Sequence, residues 1–272
     1  IFAHKHACVR VWDLGDPTMQ KNSIHSGAAC GILIYECGKG HFVDNDIYDN
    51  REWNAEVKRF ATPLFEKNRI SGAGMGGVYC HGGGGIGAFT SDFTNRDSAI
   101  TRFTLTDNDI YDNKEWGMEV KRFATPLFEK NRIYGAFMGG VFCHGGGGIG
   151  AFTSDFTNRD SAITRFTLTD NDIFGNKGVG VSIGNDGVPV ITHNRFYGGQ
   201  NAAIYVAGTK AQGTITENEI YENKDGIVLR EGACPHIERN VIRDQKRRGV
   251  VVCARGQGFL VDNTISGSKW YN

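Results

Sequence analysis

The sequence carries no surplus of charge of either sign. Its 30 Lys and Arg are matched by 30 Asp and Glu, for a formal net charge of +0 at pH 7. A chain that grips a phosphate backbone needs a basic excess, so nucleic acid is excluded as the expected partner. The local clusters Lys58-Arg59, Lys121-Arg122 and Lys246-Arg247-Arg248 are balanced by nearby Asp and Glu. No apolar run reaches the roughly 18 residues that a spanning helix requires, which predicts no membrane span. No signal peptide is visible either. The chain begins at Ile1 without Met, as expected of a processed or trimmed piece of a longer protein. The seven cysteines have neither zinc-finger spacing nor the regular placement of a disulfide framework. Their odd number and scatter predict reduced, packed thiols and an intracellular site. No metal site and no cofactor is predicted. Proline is also scarce, with only five residues, whereas glycine is abundant at 38. That balance describes a turn-rich folded chain.

What is present is a ruler. Asn-x-Ile recurs at Asn22, Asn45, Asn68, Asn108, Asn131, Asn171, Asn218, Asn240 and Asn263, with Asn194-Arg-Phe196 as a variant. Most intervals are 22 to 24 residues; the two exceptions, from Asn68 and from Asn131, are both 40. Such a period marks stacked units that cannot bury a core alone. Three residues before each Asn stands an apolar side chain, from Met19 and Phe42 to Ile237 and Leu260, and two after it stands Ile or Phe. Short β-branched runs such as Gly31-Ile-Leu-Ile-Tyr35 and Gly249-Val-Val-Val-Cys253 alternate between units. They have strand period and are too short for helices. The spacing therefore predicts an all-β, single-stranded right-handed parallel β-helix of about ten coils, one domain over residues 1–272. Each Asn is expected to sit in the left-handed conformation and to hydrogen-bond its counterpart one coil on. Both ends fall inside the repeat, so flanking segments or a partner chain are expected to cap them.

The five prolines (Pro17, Pro63, Pro126, Pro189, Pro235) lie five residues before alternate asparagines, which makes a pair of coils the true repeat. Coils built as Gly38-Lys-Gly-His-Phe-Val-Asp-Asn-Asp-Ile-Tyr-Asp-Asn50 alternate with coils built as Pro235-His-Ile-Glu-Arg-Asn-Val-Ile242. This alternation resembles the β-helix region of the eukaryotic F-box-only ubiquitin-ligase substrate receptors. The resemblance implies a protein-interaction or substrate-recognition scaffold. It also places the chain near a wider class of carbohydrate-binding and sugar-hydrolase repeats, which includes relatives of pectate lyases and alginate epimerases. The alternative is thus a carbohydrate-active β-helix: a polysaccharide lyase, epimerase or hydrolase, or a glycan binder. The 272 residues contain no F-box helices, so a ligase role would rest on segments outside them.

Residues 45–107 recur as 108–170 with six differences: Arg51/Lys114, Asn54/Gly117, Ala55/Met118, Ser71/Tyr134, Gly74/Phe137 and Tyr79/Phe142. Each copy carries 17 extra residues, read as turn insertions at 86–102 and 149–165. Loops on a rigid scaffold often carry binding, which nominates Phe89, Arg96, Phe152 and Arg159. The tetraglycine runs 82–85 and 145–148 lack the Lys-Ser/Thr of a phosphate loop.

Aligning the coils puts Glu56, Tyr79, Glu119 and Phe142 in one outward column and Lys58, His81, Lys121 and His144 in the next. These eight should form one patch able to hold a sugar acid or a peptide, so the expected ligand is a glycan or a protein segment. If it is an active site, a lyase or C5-epimerase fits: Lys58 or Lys121 neutralises a uronate carboxylate, His81 takes the C5 proton and Tyr79 supplies the acid. The Asp pairs flanking Asn45, Asn108 and Asn171 read as turn residues rather than paired hydrolase carboxylates. Duplication of the patch argues for a binding array over a single catalytic centre.

Overall fold

Alternating apolar and polar residues in runs of three to six give short strands, and the recurring turns stack them coil upon coil. The computed structural model describes residues 1–82, 101–122, 124–145 and 163–271. Among these residues there are 30 strands in three parallel sheets of ten, each strand paired with its counterpart one coil away. No helix occurs among the described residues, so none is long and apolar enough to cross a membrane. Numbering the coils by their ladder asparagines, from Asn22 to Asn263, each contributes one strand to a long sheet, one to a middle sheet and one to an Asn sheet. In coil 3 these are Trp53–Lys58, Leu64–Glu66 and Arg69–Ser71.

The interior is made of columns. The middle sheet turns Phe42, Phe65, Leu105, Phe128, Leu168, Ile191, Ile215 and Ile237 inward; the Asn sheet contributes Ile24, Ile47, Ile70, Ile110, Ile133, Ile173, Phe196, Ile220 and Ile242, all buried. The long sheet adds Ala55 and Val57, Val78 and Cys80, Met118 and Val120, Val141 and Cys143. Cys80 and Cys143 are thus core residues, and burial raises both thiols above their ordinary range. All seven cysteines are free. Each such side chain withdrawn from water contributes about 1.5–3 kcal/mol, and a solenoid gains this term coil by coil.

The asparagines form the expected ladder, in a different backbone conformation from the one expected. Every ladder Asn from Asn22 to Asn240 donates through Nδ2 to Oδ1 of the next one at 2.9–3.0 Å. The same Oδ1 also accepts the preceding Asn's backbone N–H. The left-handed residue is the one before each Asn: Lys21, Asp44, Lys67, Asp107, Lys130, Asp170, His193, Glu217, Arg239 and Asp262 have φ of 51–57°. The positive φ turns the chain, leaving the Asn amide free to point inward and satisfy buried groups. A second ladder runs through Asn50, Asn113, Asn176, Asn223 and Gln245, whose side-chain oxygens each accept a backbone N–H from another coil. The Asp residues flanking the first ladder are structural: Asp44, Asp107 and Asp170 occupy the left-handed turn, and Asp172 pairs with Arg195 at 2.6 Å.

The extra residues of coils 4 and 6 join the end of the long sheet to the middle sheet. Thr101 is fully buried, as is Ala61 at the matching place in coil 3, and its hydroxyl donates to the carbonyl of His81 at 3.2 Å. Thr164 repeats this with His144 at 3.0 Å. The coil therefore resumes at Thr101 and Thr164, and the 17 additional residues are best counted as 84–100 and 147–163. The insert residues Phe89, Arg96, Phe152 and Arg159 lie outside the described residues.

Candidate functional site on the long sheet

The widest strands carry the most chemistry. Trp53–Lys58, Gly76–His81, Trp116–Lys121 and Gly139–His144 pair in parallel through coils 3 to 6. Their register sets Glu56 beside Tyr79, Tyr79 beside Glu119 and Glu119 beside Phe142; in the adjoining row it sets Lys58 beside His81, His81 beside Lys121 and Lys121 beside His144. All eight residues nominated from the aligned coils therefore share one face.

Alternation puts these side chains outside, and one further outward column escaped sequence reasoning. Trp53, Gly76, Trp116 and Gly139 succeed one another there. Each indole lies over the glycine of the next coil, where a Cβ would collide with it. The Trp/Gly alternation was the available signal, since a flat ring needs a bare neighbour. Tyr79 stacks on Trp53 with centroids 4.9 Å apart, and Phe142 on Trp116 at 4.8 Å. His81 and His144 lie beside Tyr79 and Phe142 at 4.6 and 4.4 Å.

Each copy also holds a compact ion cluster. Glu56 Oε1 receives Lys58 Nζ at 2.7 Å and faces His81 Nε2 at 3.2 Å. Glu119 Oε1 receives Lys121 at 3.0 Å and faces His144 at 3.1 Å. Burial pushes the Glu56 carboxyl upward, but hydrogen bonds from His81 and Lys58, the Lys58 charge and the Cys30 thiol outweigh it and hold it down at about 2. Glu119 is held below its ordinary range against the same burial by His144 and Lys121. Cys30 donates its thiol to the other Glu56 oxygen at 3.2 Å, and burial together with that carboxylate raises the thiol.

The copies differ where they meet. Lys121 Nζ stands 4.6 Å from the centroid of the Tyr79 ring in the coil before it. Lys58 finds Leu33 beside its Glu56 instead, and beyond Phe142 comes Ser182. Burial raises the Tyr79 hydroxyl above its ordinary range, with Lys121 partly opposing, so it stays protonated near neutral pH. The site thus offers a protonated phenol, a carboxylate-anchored imidazole and an ammonium within one patch.

A second aromatic array, also missed, runs along the Asn sheet. Tyr111, Tyr134, Phe174, Tyr197 and Tyr221 stack in successive coils at 4.6–5.3 Å with planes 4–14° apart. Their positions, three after each ladder Asn, were readable. Because the rings face one another, only their edges reach solvent, so this column stabilises the stack and offers no ring face to a ligand.

The family model described as the right-handed beta helix region matches residues 7–160 and 156–271. The chain matches no curated protein sequence. Among solved structures, it is similar to an alginate lyase from Paenibacillus sp. str. FPU-7, at 11% identity and a TM-score of 0.54, over 92% of this chain and 99% of that one. It is also similar to the periplasmic alginate epimerase AlgG, at 11% identity and TM-score 0.58, over 86% of this chain and 61% of that one. The Azotobacter vinelandii mannuronan C-5 epimerase AlgE6 A-module aligns at 14% identity and TM-score 0.54, over 96% and 63%. The chain thus spans just under two thirds of the two epimerase chains. At these identities the likeness establishes the solenoid and nothing finer. The F-box-only resemblance finds no counterpart in these matches.

Proposed function

The chain belongs to the right-handed β-helix family, and from that premise we propose that it is a carbohydrate-active protein that binds an acidic polysaccharide along its long sheet and abstracts the C5 proton of a uronate where coils 4 and 5 meet. The observation that carries this reading is the Tyr79–Lys121 contact, which occurs at that junction and is not repeated by Phe142 in the second copy. Duplication alone would argue for two equal binding sites; this contact makes them unequal.

The roles follow from the charges. Lys121 neutralises the uronate carboxylate, which makes the C5 proton removable. His81, oriented by Glu56, accepts that proton, and the electron pair of the C5–H bond is delocalised onto the neutralised C6 carboxylate. In elimination the C4–O4 bond then breaks and Tyr79 protonates the departing O4, leaving a C4=C5 double bond. In epimerisation O4 stays and a proton returns to C5 from the opposite face. Tyr79 is suited to donate because burial keeps its hydroxyl protonated. The second copy, with Phe142 and His144, serves as a neighbouring binding subsite. The similarity to an alginate lyase, an alginate epimerase and a mannuronan C-5 epimerase makes a uronate polymer the class to test first.

The test is incubation with alginate and polygalacturonate, following unsaturated ends by ultraviolet absorbance and C5 configuration by NMR. Product is expected from one polymer. Tyr79→Phe should lower turnover by about 10²-fold or more, whereas His144→Ala should keep most of it. Binding without either product would reduce the protein to a glycan binder; no binding of either polymer would sink the proposal.

A further inference from the structure

The long-sheet face does not end at coil 6. In coil 7 its outward positions are Ser182 and Gly184, small enough to leave the surface open. Beyond them, coils 8 to 10 line a shallow, open hollow of about 400 Å³. Its floor is the column Tyr205, Val228 and Val251, the direct continuation of the column that contains Glu56, Tyr79, Glu119 and Phe142. Around that floor stand Lys224, Arg230, Arg247 and Arg248, with Asp225 as the sole carboxylate of the lining.

Half of these cations make no ion pair or ring contact among the described residues. Arg248 is committed, with Nε and Nη2 on the two oxygens of Asp225 at 2.8 and 3.0 Å. Arg247 lies with its guanidinium 4.2 Å from the Trp270 ring, and its buried Nε has no hydrogen-bond partner among the described residues. Lys224 and Arg230 make no side-chain ion pair among the described residues. In a chain of zero net charge, two cations without an ion pair and a third held on an indole, beside an apolar floor, are a local excess with a direction. A buried guanidinium donor without an acceptor marks where an oxygen belongs.

We infer that this hollow is a distal subsite holding the carboxylate of an acidic sugar, with the sugar's apolar face against Tyr205 and Val228. The inference rests on the long sheet being the polysaccharide face and adds to it where a long chain is anchored. From coil 6 to coil 9 is three strand spacings, roughly 14 Å, so one extended oligosaccharide can touch both regions. Arg230 and Lys224 anchor its far end, and the junction of coils 4 and 5 meets a sugar nearer the other end.

The test is calorimetric binding of two oligouronates, one long enough to reach from coil 4 to coil 9 and one too short to leave coils 3 to 6. Neutral and sulfated oligosaccharides of the longer length serve as comparisons. Arg230→Gln, Lys224→Gln and their double variant are the proteins, chosen because neither side chain belongs to the core or to an ion pair. The double variant should bind the long oligouronate about tenfold more weakly, as loss of charge-assisted hydrogen bonds implies, and the short one as tightly as the unaltered protein. The neutral oligosaccharide should show no such difference. Unchanged affinity for the long oligouronate overturns the subsite while leaving the activity proposal standing. An equal loss for both lengths also overturns it, since the cations would then act on the face as a whole. A sulfated chain that binds more tightly than the uronate and loses the same factor overturns the carboxylate assignment. If the unaltered protein binds neither oligouronate, the polysaccharide reading itself fails.

Discussion

Lys121 holds its ammonium 4.6 Å from the centre of the Tyr79 ring, one coil away, while keeping Glu119 at 3.0 Å. Lys58, its counterpart in the first copy, contacts Glu56 at 2.7 Å and meets no aromatic ring among the described residues. If Lys121 neutralises the reacting sugar, the two lysines are not equivalent although both stand in the sequence Glu-Val-Lys-Arg-Phe. Lys121→Met should reduce kcat/KM on a uronate polymer by about thirtyfold, roughly 2 kcal/mol. Lys58→Met should cost less than about 1 kcal/mol. Steady-state kinetics on the two variants checks this; equal losses would return the face to a symmetric binding array.

The Glu56 cluster gives the protein an acid limit. A carboxyl lowered on folding contributes stability that is fully present above its unfolded value of 4.5 and is lost as pH falls through its folded value of about 2. The contribution at neutral pH is on the order of 3 kcal/mol. Glu56→Gln should therefore lower the urea midpoint clearly at pH 7, with the gap to the unaltered protein closing between pH 4.5 and 2. Glu119→Gln should behave in the same direction. A gap that stays constant across that window would mean the carboxylate is not stabilised by Lys58 and His81.

The solenoid and its register were legible because their cause is periodic. Asn-x-Ile, the apolar residue three before it and the alternating runs fix which side chains face inward, and pairing then had to follow coil by coil. Two outward columns of the long sheet could be read as well, since Pro and Asn give two independent marks, whereas the Trp53, Gly76, Trp116 and Gly139 column was not. The conformation of the ladder was misassigned because Asn is the residue known for tolerating positive φ, whereas here Lys67, Asp107 and Arg239 carry it. Sequence ranks tolerance at a position; it does not say which of two neighbours takes the turn. The hollow at coils 8 to 10 was hidden for a different reason. Lys246-Arg247-Arg248 looked neutralised by nearby acids, yet only Arg248 finds Asp225, because stacking turns Arg247 toward Trp270. The Tyr79–Lys121 contact likewise needs the distance between coils, which no spacing along the chain supplies.

The ladder should be costly to interrupt at its middle. Asn131 Nδ2 donates to Asn171 Oδ1 at 3.0 Å and to the Leu105 carbonyl at 2.9 Å, and its Oδ1 accepts both the backbone N–H and Nδ2 of Asn108. Asn131→Ala strands these buried groups and should destabilise by about 3 kcal/mol. Asn263 is half exposed, so Asn263→Ala should cost less than about 1 kcal/mol. Thermal or urea unfolding of the two variants measures the contrast, and similar losses would show that the ladder contributes no more where it is buried than where it is half exposed.

The inserts bear on the site through their anchor points. Thr101 binds the carbonyl of His81 and also accepts the Phe60 N–H at 3.3 Å, so the coil is closed on both sides of the extra residues. Removing 84–100 keeps Thr101 and leaves five residues between His81 and Thr104, the same number that separates Lys58 from Leu64 in coil 3. Removing 86–102 would instead delete the buried Thr101. The first deletion is therefore expected to fold with a stability change under about 1 kcal/mol, and the second to lose about 2 kcal/mol or more, as a buried and doubly hydrogen-bonded residue requires. If the inserts flank the reacting sugar, the 84–100 deletion should also raise KM for a uronate polymer severalfold, while removal of 147–163, beside the copy that carries Phe142, should change KM less. Circular dichroism melts and steady-state kinetics on the three deletions separate the outcomes. Cooperative unfolding of the 84–100 variant would make the insert part of the fold. Equal KM changes in both copies would place the reaction elsewhere than the Tyr79 junction.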